Sequence, residues 1–358
     1  MLYTVTQMMK RLLFSLLLLV LGIGIGLGLS QVTSLFFSES GELLVPTIIQ
    51  SQPKTEPPLS KFAITRLHEL PLTPAKISLV EEVETTSTTT SYLFRWTSRG
   101  KVMTGSVIIP KKIPTTNPPT IIMLRGYVPP DLYETGVGTK NAAATLARNG
   151  YITVAPDFFG YGGSDPEPID TWQARFEKPL IVMELIQSLQ TEGIAQQDAT
   201  LPPITTEAIG IWAHSNGGQI ALTTLEAYKI AIPTTLWAPV TAPFPYAIQF
   251  FSDELEDEGK TQRKWISLFE ETYDAFDFSL TKHLSLLSGP LQIHHGELDD
   301  AAPIAWSDEF VEKTKEINGT IEVTYFRYPG TDHNLQPSWN TAITRDLTFF
   351  REHLAPQQ

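Results

Sequence analysis

Ile209-Gly210-Ile211-Trp212-Ala213-His214-Ser215-Asn216-Gly217-Gly218-Gln219-Ile220-Ala221-Leu222 reads as a short apolar strand that runs into His-Ser-Asn-Gly-Gly and turns at once into helical spacing. Such a turn leaves one side chain, Ser215, at its apex, the arrangement of a nucleophile elbow. The residue types follow from sterics. A residue held at so tight a strand-to-helix turn has a strained backbone, and the residues two places before and after it must be small for strand and helix to pass closely. Here they are Ala213 and Gly217, where the usual pattern has glycine at both. The helix beginning at Asn216 points its free amides back toward Ser215, where an oxyanion would form. Taken alone, the pentapeptide also fits a serine that only caps a helix.

Partners downstream decide between these readings, in the order Ser, then Asp or Glu, then His. Residues 291–303 read as a strand ending in a Gly-containing loop that presents an acid, with Asp299 and its neighbour Asp300 as candidates and Glu297 a weaker one. Residues 328–334 place His333 in a loop after a further strand and before the last helix. Of the other imidazoles, His214, His283, His294 and His295 precede the acid, and only His333 lies after it in a loop of this kind. A zinc site from His294 and His295 is not expected, because adjacent strand residues point to opposite faces.

With these motifs in register over residues 77–354, the chain resembles the α/β-hydrolases. Within them it is similar to the catalytic domain of the prolyl-oligopeptidase family and to its dienelactone-hydrolase and acetyl-esterase relatives. The resemblance implies a mostly parallel sheet with helices on both faces and a cap insertion. Its His-Gly-x-x-Asp-x-x-Val-Pro pattern maps onto His295, Gly296, Asp299 and Pro303, which selects Asp299 over Asp300. It also implies that the loop Arg125-Gly126-Tyr127 donates a second oxyanion-hole amide, from Tyr127, beside that of Asn216. Arginine stands there in place of the family's histidine, and Arg125 is read either as a structural salt bridge or as a contact for a substrate carboxylate or a neighbouring loop. The phenol of Tyr127 is a further candidate for the site, as a tyrosine is in prolyl oligopeptidases. The loop from Asp157 to Ser164, with the pattern Asp-x-x-Gly-x-Gly-x-Ser, is read as structural support.

The remaining strands and helices follow from period and composition. Alternation predicts strands over 77–84, 91–97 and 102–109, the last two joined as a hairpin through Ser98-Arg99-Gly100. Apolar runs predict strands over 120–124, 151–156, 208–212 and 234–239. Helices are expected over 141–149, closed by Gly150, and as one long element over 172–192. Residues 241–288 form the cap insertion; most of its aromatics, including Phe250, Phe251, Trp265, Phe269, Tyr273 and Phe276, are expected in packing, and its acidic run 253–258 on a solvated helix face.

The chain has 358 residues, a net charge of −13 and no cysteine. The charge argues against nucleic acid as a partner, and disulfides and thiolate metal sites are excluded. Lys10 and Arg11 precede an uncharged apolar run over 12–29, long enough to span a bilayer. It is read as an N-terminal membrane anchor that leaves the rest extracytoplasmic, with a signal sequence cleaved near Gly28 and Ser30 as the alternative. The expected organisation is therefore residues 1–30 as anchor or signal, 31–74 as a Pro- and Ser-containing linker, and 75–358 as the catalytic domain. Leu43-Leu44-Val45 and Thr47-Ile48-Ile49 could instead dock on the body.

The reading assigns Ser215 as nucleophile, His333 as general base and acid, and Asp299 as the group that orients the imidazole. No metal or organic cofactor is expected, and the partner is a small peptide or ester substrate. A prolyl-oligopeptidase-like serine peptidase is the first expectation and an esterase the alternative, since no preceding region is long enough for a β-propeller. A binding module that keeps the fold without activity is the third, and the complete Ser-Asp-His set argues against it.

Overall fold

A computed structural model describes residues 56–113, 117–196, 201–252 and 255–354. The apolar run 12–29, the first part of the proposed linker and the segments 43–45 and 47–49 lie outside the described residues. Among the described residues no helix is long and apolar enough to cross a membrane.

Nine strands make one sheet: β1 (Ser78–Thr85), β2 (Thr89–Ser98), β3 (Lys101–Pro110), β4 (Thr120–Leu124), β5 (Ile152–Pro156), β6 (Ile209–His214), β7 (Thr234–Trp237), β8 (Leu291–Gly296) and β9 (Val323–Tyr328). Their spatial order is β1-β2-β3-β5-β4-β6-β7-β8-β9. β1 to β3 form an antiparallel meander, and β3 pairs antiparallel with β5. From β5 through β9 every pairing is parallel. The hairpin between β2 and β3 turns through Arg99 and Gly100, both at positive φ (52° and 73°), as a two-residue loop matched to strand twist requires.

Among the described residues eight α-helices accompany the sheet: α1 (Lys140–Arg148), α2 (Thr171–Phe176), α3 (Lys178–Thr191), α4 (Asn216–Tyr228), α5 (Tyr246–Phe250), α6 (Lys260–Glu270), α7 (Ile304–Ile317) and α8 (Trp339–Leu354). The fully buried central strands divide their side chains by parity. Ile122, Leu124, Ile211 and Ile293 join the core that contains Leu185 of α3, Leu222 of α4 and Phe310 of α7. Ile121, Met123 and Trp212 join the opposite core with Leu146 of α1 and Phe350 of α8. Helices therefore cover both faces, as parallel strands with no polar side require.

Three expectations are corrected. The single helix over 172–192 is two, α2 and α3, meeting at Glu177, because Pro179 lacks an amide and sits in the first turn of α3. The described part of the acidic run is a turn before α6 rather than a helix face, with Asp257 accepting from the Gly259 and Thr261 amides at 3.0 and 2.9 Å. Finally, residues 56–74, read as the end of a tether, belong to the body. Leu59, Phe62, Ile64 and Leu67 are buried with Phe176, Phe244, Phe269 and Phe278. The Ile64 amide donates to the Asp277 carbonyl at 2.9 Å, and Thr73 donates to the buried Glu184, which also accepts from Ser98 Oγ at 2.5 Å. The insertion after β7 adds α5, α6 and three short 3-10 turns at Ala275–Phe278, Leu280–Lys282 and Leu284–Leu286. Of its aromatics, Phe269 is buried while Phe250, Phe251, Trp265 and Phe276 stay exposed.

Candidate active site

β4 has β5 on one side and β6 on the other, so the chain reverses its direction of travel across the sheet at this strand. A crevice opens at such a point beyond the strand carboxyl ends. The loops after β4, β6, β8 and β9 carry Tyr127, Ser215, Asp299 and His333 to that rim.

Ser215 has φ 54° and ψ −120°, a conformation rare for any residue with a side chain and kept only where the surroundings enforce it. Its amide donates to the Trp237 carbonyl at 2.9 Å, and its carbonyl accepts from the amides of Gly218 and Val240 at 2.9 and 3.0 Å. Gly217 is required: a Cβ there would lie 2.2 Å from the Leu124 carbonyl oxygen. Ala213, where the pattern has glycine, is fully buried and paired between Leu124 and Leu236, so one methyl is accommodated. The sequence reading passed over Gly126. A Cβ at Gly126 would meet Ser215 Cβ at 3.0 Å and His214 Nδ1 at 3.3 Å, so the loop after β4 lies this close to the serine only because residue 126 has no side chain.

Asp299 and His333 are joined. His333 Nδ1 donates to both carboxylate oxygens of Asp299, at 2.8 and 3.0 Å. The Asp299 side chain is fully buried and accepts from the amides of Ala301 and Ala302 at 3.0 and 2.8 Å. His295 Nε2 lies 3.0 Å from Asp299 Oδ2 while also meeting the Ala302 carbonyl at 2.8 Å, and its Nδ1 faces Ser307 Oγ at 2.8 Å. Burial raises the Asp299 pKa, but the hydrogen bonds from His295, His333 and Ala302 outweigh it and hold the carboxyl below its usual range. Asp300 is exposed.

With Nδ1 committed to Asp299, His333 has Nε2 free for chemistry. Among the described residues no hydrogen bond joins Ser215 Oγ to His333. His214, next to Ser215 in the chain, donates through Nε2 to the His333 carbonyl at 3.1 Å, and its ring centroid lies 4.7 Å from that of His333. Burial, then the neighbouring His333, pulls the His214 pKa down to about 4, which keeps this imidazole neutral beside the site. Contacts of this kind tighten on substrate binding in many active sites.

The two oxyanion candidates flank the serine. Among the described residues neither the Asn216 amide, first in α4, nor the Tyr127 amide donates to another protein group. Tyr127 is 69% exposed. Arg125 is neither a salt bridge nor open to solvent. It is 7% exposed, held between the rings of Tyr133 and Tyr161 at 4.3 and 4.1 Å, and donates to the carbonyls of Gly126 and Asp157 at 2.9 and 3.1 Å. Asp157 accepts from Thr104, Tyr133 and Thr135, which makes its loop the scaffold on which the loop after β4 rests. His294 and His295 point to opposite faces: His294 meets Asp346 at 2.9 Å and Tyr328 at 2.7 Å, far from the groups that His295 engages.

The fold is that of the α/β-hydrolases. The structure is similar to an acetyl xylan esterase from Thermoanaerobacterium (TM-score 0.53, 15% identity, covering 81% of this chain and 94% of that one). It is similar to a puromycin-hydrolysing peptidase of Mycobacterium tuberculosis (TM-score 0.52, 16% identity), of which the match covers 38% against 72% of this chain. It is also similar to an α/β hydrolase from a Penicillium species (TM-score 0.51, 16% identity, covering 74% of this chain and 99% of that one). No protein-family model matches the chain, and no curated protein matches it by sequence.

Proposed function

We propose that the protein is a serine hydrolase that cleaves an ester or amide through an acyl-enzyme. Ser215 attacks the carbonyl, His333 takes its proton through Nε2 and returns it to the leaving group, and Asp299 holds the imidazole in the tautomer that leaves Nε2 free. The amides of Asn216 and Tyr127 receive the oxyanion. Water then enters, loses a proton to His333 and releases the acid, restoring Ser215. The observation that carries this reading is the strained Ser215 at the first residue before α4, on the same rim as a His333 already bonded to a buried Asp299.

Between the two substrate classes the charge around the site favours an ester. An aminopeptidase needs carboxylates to receive a free amino terminus, whereas the cavity beside Asn216 is lined by Arg175 and Lys178, with Glu167 beside Lys178 at 3.7 Å. The peptidase reading keeps one specific support, an exposed tyrosine, Tyr127, in the loop that passes Ser215. Labelling by a fluorophosphonate probe tests the common mechanism: the wild-type chain should label and the Ser215→Ala chain should not. Turnover of p-nitrophenyl acetate compared with Ala- and Pro-p-nitroanilides then separates the classes, and rapid anilide turnover would reverse the preference for esters.

A further inference from the structure

α4 is not packed solid along its whole inner face. The stripe Asn216, Gln219, Ile220 and Thr223, spaced as one side of a helix, borders a cavity of about 50 Å³ closed by Phe62, Phe176 and Phe278 together with Arg175 and Lys178. The cavity touches the residue that follows Ser215, and one of its walls comes from the segment 56–74. Its volume admits a small terminal group rather than a whole substrate.

The charges in this cavity are unbalanced. Arg175 donates to Gln219 Oε1 at 2.7 Å, and among the described residues no carboxylate lies within ion-pair distance of it. Burial alone pulls its pKa down to about 10, so it remains a cation. Lys178 has Glu167 at 3.7 Å, while Arg175 and Arg125 both oppose its charge. A half-buried guanidinium without an anion gains charge-assisted hydrogen bonds once a carboxylate meets its fork of N–H donors.

We propose that this cavity is a subsite for a carboxylate carried on a short apolar stem of the substrate, bound by Arg175 with Lys178, and that it gives the enzyme a preference for anionic over neutral substrates. The preference rests on the serine-hydrolase reading; the anion site itself does not. Melting of the purified full-length chain with butyrate and with its neutral analogue butyramide tests the site directly. Butyrate should raise the melting temperature and butyramide should not; the rise should vanish in Arg175→Gln and survive in part in Arg175→Lys. A wild-type chain indifferent to butyrate, or a rise that persists in Arg175→Gln, overturns the site. Lys178→Gln, expected to weaken the response, serves if Arg175→Gln does not fold.

Kinetics test the preference. The ratio of kcat/KM for mono-p-nitrophenyl succinate over p-nitrophenyl butyrate should fall at least about 10-fold in Arg175→Gln, through KM for the succinate, as loss of one charge-assisted contact implies. An unchanged ratio overturns the preference. If butyrate binds as expected but the wild-type chain turns over neither ester, the hydrolase reading fails and the anion site stands.

Discussion

At the scale of single residues, the acid loop is where two neighbours of the same chemistry have different fates. Asp299 turns inward, takes two backbone amides and meets His333, while Asp300 faces solvent one residue later. The difference arises because the loop after β8 closes on itself through the Asp299 carboxylate, which leaves one direction for each side chain. Asp299→Asn should therefore lower kcat/KM by roughly 10³ to 10⁴-fold with the fold intact, since the imidazole loses the partner that sets its tautomer. Asp300→Asn should change it by no more than about twofold. Steady-state kinetics on an activated ester decide the matter, and equal losses in the two variants would mean that the carboxylate beside His333 has been misassigned.

At the scale of elements, the segment from 56 to 74 behaves as part of the enzyme. Phe62 and Leu67 are each about 1% exposed and pack in one aromatic cluster with α2, α6 and the turn at Ala275–Phe278. Phe62→Ala should cost about 3–5 kcal/mol and Leu67→Ala about 2–5 kcal/mol of unfolding free energy, as cavity-forming substitutions do in a packed core. A segment that merely tethered would cost close to nothing, so denaturant titration of both variants distinguishes the two. The contrast shows what a sequence can convey. The strands β4, β6 and β8 and the elbow were legible because each follows from a local rule: apolar runs, small residues around a strained apex, a loop after a strand. Asp299 and His333 were legible only through order along the chain and a family pattern. The docking of 56–74 was not, because scattered Leu and Phe among Pro and Ser carry no period and their burial is decided by aromatics two hundred residues away. The break at Glu177 was missed although Pro179 marks it, because helical spacing continues across the kink. Gly126 and Arg175 left no signal either: a glycine's need for space and a cation's lack of an anion are properties of the packed structure.

For the molecule as a whole, two groups whose pKa values burial moves in opposite directions bound its stability in pH. His214 has its pKa lowered to about 4 by burial and by His333, below the ordinary value near 6.5. Between those values the unfolded chain binds the proton that the folded chain refuses, so stability falls as pH drops from about 6.5 toward 4, by about 2–3 kcal/mol in all. Glu226, on α4, acts in the other direction. It is fully buried, neither carboxylate oxygen has a hydrogen-bond partner among the described residues, and burial raises its pKa well above the ordinary carboxylate value. Above that ordinary value the folded chain keeps a proton that the unfolded chain has lost, so stability falls as pH rises until the folded group ionises in turn. The two slopes oppose each other near pH 5 to 6, and each is exposed by removing the other. In His214→Gln the acid-side loss should flatten; in Glu226→Gln the loss above pH 5 should flatten, so that this variant gains on the wild type as pH rises toward 8. Chemical denaturation from pH 4.5 to 8.5 reads both slopes on one instrument. A Glu226→Gln chain whose curve stays parallel to the wild type would mean that α4 opens to water at this position and that the carboxyl is ionised in the native state.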